Sequence, residues 1–253
     1  MIGLNGGLLG SQRTTTTSAG PGVWTANEQV LLRRSNTWPR TDSDDPYFSS
    51  VSLLLHMNGS NNSTTFTDSS LGAITVTANG DAKISTAQSK FGGASGAFDG
   101  AGDYLSCSLN AFSTNDFTIE TWVRMNSFAN YRMLYDSRTS DGDNSGFVWG
   151  VNGSGTLFVY LGSFVLVTGT LSTGTWAHVA LTRASGTWRI FIDGALQTGT
   201  YSNSGDLTRT ATRVGMDWAT LYGVDGYLDD FRITNGVARY TTSFTAPTTA
   251  FLP

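Results

Sequence analysis

The sequence predicts an all-β fold, a two-sheet antiparallel jelly-roll sandwich, over residues 47–253. Short runs rich in Val, Ile, Thr and aromatic residues recur between turn signals with no helical stretch between them, as they do in β-sandwiches and barrels. Charged residues make up only 13% of the chain and glycines number 30, which suits short strands joined by tight turns. A chain of 253 residues is also long enough to bury the single large core of such a sandwich.

Residues 1–46 differ in composition and are predicted to form an extended N-terminal arm and linker. Gly and Thr dominate up to Gly22, and such a segment cannot bury enough apolar surface to offset the entropy lost on ordering. Thr25 and Glu28 have the spacing of a capping box, which predicts a short helix that ends before Pro39. We expect the arm to dock onto another protein, although it could instead fold back onto the main domain. Its predicted anchoring residues are Trp24, Leu31 and Trp38.

About a dozen strand-like segments follow the arm, separated by Gly-, Asp- and Ser-containing turns. The loop Gly162-Ser163 joins two of them and has glycine first, as a two-residue type II′ hairpin requires. Neighbouring strands are therefore predicted to be antiparallel. The predicted strands include residues 53–57, 73–77, 96–100, 103–109, 117–124, 131–136, 146–151, 156–161, 164–167, 212–217 and 226–233, with two more inside 175–194.

The strand at residues 117–124, FTIETWVR, shows the alternation expected of a sheet with one buried side. Phe117, Ile119 and Val123 share one face, and Trp122 lies on the other. One of the two faces is therefore predicted to be buried.

Charge and cysteine content exclude several classes of partner. The formal net charge is -4, and lysine occurs only at Lys83 and Lys90, so the chain has no basic stripe that could follow a phosphate backbone. The lone Cys107 cannot form an intrachain disulfide and is expected to be a buried thiol. The N-terminus lacks the pattern of a signal peptide, and no run approaches ~18 apolar residues. Nucleic acid and membrane are thus not expected as partners.

Catalytic residues are scarce in this sequence. A retaining glycosidase needs two carboxyl groups about 5 Å apart. Glu28 and Glu120 are the only glutamates, and Glu120 has Arg124, not a carboxylate, nearby on the same face. Asp229 and Asp230 are adjacent and are expected to point to opposite faces of a strand. The sequence therefore predicts that the protein is not an enzyme.

Aromatic and polar residues in or near predicted loops offer candidate sugar-binding sites. A sugar site needs an aromatic platform against the apolar face of a pyranose and polar groups for its hydroxyls. The alternative is that these aromatic side chains only cover the edge of the core. The candidate glycan-binding residues are Trp218, Tyr222, Asp217, Asp225, Tyr131 and Arg132, with Tyr201 and Asn203 as a further pair.

The segment at residues 136–146, DSRTSDGDNSG, is rich in oxygen ligands. It lacks the spaced carboxylates and terminal Glu of an EF-hand loop. We therefore interpret it as a solvated hairpin loop rather than as a calcium site.

Four ordered motifs resemble the laminin-G-like branch of the concanavalin A-like lectin/glucanase jelly rolls. The resemblance covers roughly residues 50–240. Its motifs are FGGASGAFDGAGDYL (91–105), FTIETWV (117–123), TWAHVAL with RIFIDG (175–194) and GYLDDFRI (226–233).

A second resemblance points to structural proteins of tailed bacteriophages. LLLHMNGS (53–60), FTDSS (66–70) and GVARYTTSFTAP (236–247) are similar to the version of this domain found there. GLLG, GVWTANEQVLLRR (22–34) and WP in the arm resemble an N-terminal anchoring segment of phage virion proteins.

The laminin-G-like resemblance implies structural roles for several conspicuous residues. Trp176 and His178 would pack on an inner strand, His178 as a core histidine with a satisfied ring nitrogen, and His56 would also be structural. Asp193-Gly194 would form a turn. Some members hold a structural calcium near the sandwich rim, and the candidate ligands here are Asp99, Asp103, Asp229 and Asp230.

Together these features lead us to expect a bacteriophage virion structural protein, a tail-fibre or baseplate adhesin on the particle surface that recognises host surface polysaccharide without catalysis. The arm would bind other virion proteins. Because ordering the arm opposes binding, many copies would be needed, and a homo-oligomer such as a trimer is expected. The alternatives are a head-decoration protein that binds no sugar and a glycan-degrading enzyme.

Overall fold

The computed structural model describes residues 45–252, which form two antiparallel sheets packed face to face, as the sequence predicted. The nine-stranded sheet contains β1 (Val51–Leu55), β3 (Lys83–Ser85), β4 (Ser95–Asp99), β6 (Phe117–Met125), β11 (Ala177–Ala184), β12 (Thr187–Ile192), β13 (Ala195–Leu196), β14 (Tyr201–Ser202) and β16 (Asp225–Asn235). The seven-stranded sheet contains β2 (Thr77–Asn79), β5 (Tyr104–Ser108), β7 (Arg132–Asp136), β8 (Val148–Val151), β9 (Thr156–Tyr160), β10 (Phe164–Thr170) and β15 (Ala211–Val214). A short 3-10 helix, Phe48–Ser50, precedes β1.

The nine-stranded sheet has the order β13-β12-β11-β6-β16-β4-β3, with β1 paired to β16 and β14 paired to β12. The seven-stranded sheet has the order β10-β9-β8-β7-β15-β5-β2. Neighbours such as β16 and β4 are far apart in the sequence, which gives the crossovers typical of a jelly roll. No helix within residues 45–252 is long and apolar enough to cross a bilayer.

The core lies between the sheets and is rich in aromatic rings. The ring centroids of Phe117 and Phe147 are 5.5 Å apart and stacked, and Trp188 meets Phe117 edge-on at 5.2 Å. All three side chains have no exposed surface. Ile119 and Val123 join this core. The prediction of a single buried side for β6 is wrong, because Glu120 and Trp122 on the other face are buried as well. Full burial of such side chains stabilises a fold by about 2 kcal/mol each.

Turn chemistry explains two of the hairpins. Ser185 and Gly186 both have positive φ, 47° and 78°, and join β11 to β12 as a two-residue loop must. The predicted hairpin between β9 and β10 is present, and Gly162 has a φ of 68°. Its loop has three residues, 161–163, rather than the predicted two, because Tyr160 pairs with Phe164.

Some strand predictions differ from the structure. The predicted strand at 73–77 forms only from Thr77 onward, since Ala73 has a φ of 41°, which is incompatible with an extended strand. The short strands β3, β13 and β14 were not predicted, because two or three residues carry too little alternation to be recognised. The anchoring residues Trp24, Leu31 and Trp38, with the predicted short helix, lie outside the described residues.

The outer face of the nine-stranded sheet is covered by residues 236–252, which we call the C-terminal segment. Tyr240 and Phe244 stack with centroids 3.5 Å apart, and the backbone N–H of Phe244 donates to the carbonyl of Gly194. Phe251 is 5% exposed and donates its backbone N–H to Asp230. The C-terminal segment does not cover the outer face of the seven-stranded sheet.

Candidate functional site

Aromatic side chains cluster on the outer face of the seven-stranded sheet. Tyr131 lies 5.6 Å from Tyr222 and 5.8 Å from Phe164 between ring centroids, and Tyr160 lies 5.3 Å from Phe164. Phe164 is 51% exposed, and the three tyrosines are partly exposed. We call these four residues the aromatic patch. They rest on a buried layer of Met133, Val148 and Phe158.

Strand periodicity places these side chains outside. In β9, Leu157 and Val159 point into the core, so Phe158 and Tyr160 point outward. Cross-strand neighbours share a face, so the pairing of Tyr160 with Phe164 continues the patch onto β10. Tyr160 and Phe164 were not predicted from the sequence, although their positions on either side of the 161–163 loop carried this information.

A pocket of about 250 Å³ also opens on the seven-stranded sheet. We call it the arginine pocket; its lining residues are Asp136, Arg138, Thr139, Ala211, Arg213 and Trp218.

Asp136 and Arg138 form a buried ion pair at the arginine pocket. Nη2 and Nε of Arg138 lie 2.8 and 3.1 Å from the two carboxylate oxygens of Asp136. Burial raises the pKa of Asp136, and Arg138 opposes that shift. The guanidinium of Arg138 lies 5.1 Å from the ring centroid of Tyr160, which joins the pocket to the aromatic patch.

Arg213 is held differently. Its Nη1 donates to the carbonyl oxygens of Asp217 and Trp218 at 2.9 and 2.8 Å. Its guanidinium carbon lies 4.7 Å from the ring centroid of Tyr104, so one flat face is covered. Backbone carbonyls and an aromatic ring therefore orient this cation.

The structure brings the predicted aromatic residues to this face. Tyr131 and Tyr222 belong to the aromatic patch, and Trp218 lines the arginine pocket. The indole N–H of Trp218 donates to the carboxylate of Asp141 at 3.1 Å. Tyr201 instead accepts a hydrogen bond from Asn203 and packs against Trp188 in the nine-stranded sheet.

The predicted polar ligands mostly serve the protein itself. Asp217 is 3% exposed and accepts backbone N–H bonds from residues 219, 221 and 222, which fold the loop that carries Trp218. Arg132 donates to the carbonyl of Gly223 and lies 3.8 Å from Asp225. These groups shape the site, and the ring faces provide its open surface.

The predicted calcium ligands do not gather into one site. Asp103 accepts backbone N–H bonds from residues 81 and 99, and the N–H groups of residues 90 and 91 donate to one oxygen of Asp229. Asp230 binds His56 Nδ1 at 2.7 Å, and Asp99 accepts the N–H of residue 101. Within residues 45–252, no three His, Cys, Asp or Glu side chains are close enough to share a metal ion.

The loop at 136–146 is held from within rather than simply solvated. Asp143 is 6% exposed and accepts hydrogen bonds from Thr139, Ser145 and Arg209. These partners take up its carboxylate oxygens, and they hold its pKa down at about 2 against the effect of burial.

Glu120 of β6 and His178 of β11 are buried under the C-terminal segment. His178 is fully buried, as expected, and its Nε2 lies 3.2 Å from Glu120, while its Nδ1 has no hydrogen-bond partner among the described residues. It packs against Phe244 and Phe251 outside the sheet rather than between the sheets. Trp176 precedes β11 and is partly exposed, whereas the sequence placed it on the inner strand.

A family model of laminin G type, described as the concanavalin A-like lectin/glucanases superfamily, matches residues 99–239. The chain belongs to this superfamily. No curated protein sequence matches this chain. The match spans β5 to β16 and so includes the aromatic patch and the arginine pocket.

Solved structures with the same fold come from proteins of several kinds. Domain 4 of AbnA, an extracellular arabinanase from Geobacillus stearothermophilus in complex with arabinotriose, is 18% identical with a TM-score of 0.54, covering 74% of this chain and 94% of that one. A botulinum neurotoxin type C structure, described as dependent on two ganglioside molecules for cell entry, is 15% identical with a TM-score of 0.53, covering 76% and 49%. A Trypanosoma rangeli sialidase is 14% identical with a TM-score of 0.58, covering 77% and 32%. The chain thus spans about half the neurotoxin structure and a third of the sialidase.

Proposed function

We propose that this concanavalin A-like domain binds carbohydrate without catalysis, through the aromatic patch and the adjoining arginine pocket. The observation that carries the proposal is the exposed aromatic surface over a buried layer, with Phe164 half exposed. Such rings offer flat apolar faces that stack on pyranose rings, and their fixed positions lower the entropy lost on binding. Similar folds described with arabinotriose and with gangliosides support this choice.

We assign the glycan to a host surface and the protein to the surface of a tailed-bacteriophage particle, as a tail-fibre or baseplate subunit. The support for this finer role is the resemblance of residues 53–60, 66–70 and 236–247, and of the arm, to phage virion proteins. Residues 1–46 would attach the domain to other virion proteins, and several copies would bind together.

The absence of catalysis is part of the proposal. Glu120 is fully buried and bonded to Arg232 and His178, so it does not face an open groove. Asp229 is also fully buried. We expect no release of reducing ends from host polysaccharide, and the same background from Asp229→Asn.

A glycan array with the whole chain tests the proposal. Trp218→Ala and Phe164→Ala should each weaken the best glycan about tenfold, since an aromatic contact is worth about 1 kcal/mol or more. Leu196→Ala is the matched control, because Leu196 is 38% exposed on β13 of the other sheet. Retention of no glycan, with intact binding to purified particles, would instead indicate a head-decoration protein.

A further inference from the structure

Arg213 has a free hydrogen-bonding edge. Its Nη1 is used by two carbonyl oxygens, whereas its Nε and Nη2 bond no atom of the described residues and are not buried. No carboxylate within residues 45–252 lies at ion-pair distance from it. The Nε–Nη2 edge of a guanidinium is a fork that matches the two oxygens of a carboxylate.

The other charged side chains at the arginine pocket already have partners. Arg138 is paired with Asp136 and lies 3.8 Å from Asp141, and the carboxylate oxygens of Asp217, in the adjoining loop, accept three backbone N–H bonds. Asp141 opposes an incoming anion, but its side chain is 83% exposed and is therefore well screened by solvent. Among the described residues that line the pocket, Arg213 is thus the cation that makes no direct ion pair, and it is partly shielded from water.

The surroundings of Arg213 suit a sugar rather than a free anion. Tyr104 covers one face of the guanidinium, and Trp218 lines the same pocket. Arg138 connects the pocket to Tyr160 of the aromatic patch. A pyranose that stacks on these rings would bring a carboxylate substituent to the free edge of Arg213.

We propose that the arginine pocket selects glycans that carry a carboxylate, such as uronic or sialic acid units, with Arg213 as the residue that determines this specificity. This inference rests on the proposed carbohydrate binding at the same face. It adds the chemical class of the ligand and the atom pair that recognises it.

The test compares acidic oligosaccharides with their carboxyl-reduced forms. The panel contains uronate- and sialate-bearing oligosaccharides, each paired with the same oligosaccharide in which the carboxylates are reduced to primary alcohols. The reduction removes the charge and leaves the ring shape. We expect it to weaken binding to the whole chain roughly 10- to 100-fold, the effect of losing a charge-assisted hydrogen-bond pair.

Three variants test whether Arg213 is the residue that binds the carboxylate. Arg213→Met should lower affinity for the acidic form by the same factor and leave the reduced form unchanged. Arg189→Met is the control, since Arg189 also lacks an ion pair among the described residues but belongs to β12 of the other sheet. Asp141→Asn should raise affinity for the acidic form about two- to fivefold by removing the opposing charge.

The outcomes distinguish this inference from the proposed carbohydrate binding on which it rests. Equal binding of acidic and reduced glycans, with Arg213→Met unaffected, would overturn the inference and leave carbohydrate binding intact. Failure of every glycan in the panel would overturn both. If Arg213→Met proves unfolded, Arg213→Lys replaces it, because Lys keeps the charge but lacks the fork and should still lose most of the discrimination.

Discussion

At the scale of single residues, the most unusual group is Asp229. It is fully buried; one of its oxygens accepts two backbone N–H bonds, and the other has no hydrogen-bond partner among the described residues. Burial raises its pKa to about 7, with a further contribution from the nearby Asp230. The adjacent acids were predicted to lie on opposite faces. That prediction is wrong, because Asp230 has a φ of 46° at a register shift of β16. Leu228 and Phe231 both point into the core, so the two acids between them lie on the outer side of the sheet.

The raised pKa of Asp229 predicts a pH-dependent stability. Between pH 4 and pH 7 the unfolded state has released this proton and the folded state still binds it, so stability falls as pH rises and levels off above about pH 7. Asp229→Asn should flatten this slope and gain up to about 4 kcal/mol at pH 8 relative to the native chain. Urea unfolding of the native chain and of Asp229→Asn, each at pH 5 and pH 8, measures the slope and the gain in stability. Equal slopes for the two proteins would contradict the prediction.

Glu120 differs from Asp229 because its pKa is lowered, not raised. Burial raises its pKa, but Arg232, His178 and Arg239 outweigh that effect and lower it to about 2. Arg232 donates to Glu120 at 2.8 Å, and the hydroxyl of Tyr240 donates at 3.0 Å. The stability it contributes is therefore present above its unfolded pKa and is lost as pH falls towards 2.

Neutralising Glu120 should be costly. Glu120→Gln leaves a buried arginine with one carboxylate fewer, and we expect the free energy of unfolding to fall by about 3 to 5 kcal/mol at pH 7. Asp206→Asn is the control, because Asp206 is exposed and should change stability by less than about 0.5 kcal/mol. Chemical denaturation of the two variants compares them, and similar midpoints would show that the buried network is energetically unimportant.

At the scale of elements, the C-terminal segment is an integral layer of the fold. It supplies Tyr240 to Glu120 and packs Phe244 and Phe251 against His178. The guanidinium of Arg232 lies 3.8 Å from the ring centroid of Phe251. The segment contains no described strand, yet it converts the outer face of the nine-stranded sheet into a second buried layer.

Substitutions of two neighbouring residues, buried Phe251 and exposed Leu252, test whether the C-terminal segment is packed against the sheet. Phe251→Ala should lower the free energy of unfolding by about 3 kcal/mol, because it removes a buried ring and opens a cavity over Arg232. Leu252→Ala should have little effect, since Leu252 is 42% exposed. Thermal unfolding of both variants measures the difference. Comparable midpoints would mean that the segment is not tightly docked.

At the scale of the whole molecule, the two outer faces differ in kind. The nine-stranded sheet is closed by the C-terminal segment and by Asp45, whose carboxylate lies 3.1 Å from Arg232 and 2.6 Å from Arg239. The seven-stranded sheet exposes the aromatic patch. Both ends of the described chain therefore meet on one face, and the proposed ligand surface lies on the other.

Asp45 makes the start of the folded unit testable. The sequence placed it in a polar linker, but it is 7% exposed and pairs with two arginines of the sandwich. A protein of residues 45–253 should therefore be more stable than one of residues 47–253 by about 3 kcal/mol. The domain boundary itself stays a prediction. Urea unfolding at neutral pH compares the two proteins, and equal stability would show that this contact adds nothing.

The sequence by itself determined the fold class and the antiparallel strands. The laminin-G-like resemblance added the turn at Asp193-Gly194, where Asp193 binds the N–H of residue 178 and Gly194 has a φ of 78°. These features depend on alternation and on local backbone preferences, which neighbouring residues report directly. Tyr131, Tyr222 and Trp218 were also proposed as candidate ligand residues from the sequence, and their role in binding stays a prediction.

Only the tertiary structure decided which side chains are free to bind. Arg213, Tyr160 and Phe164 reach one surface through strand pairing, and Asp217 is taken up by its own loop. The arginine partners of Glu120 and Asp45 come from more than a hundred positions away. Sequence spacing carries no record of such neighbours, because burial and pairing arise when distant segments meet in the folded chain.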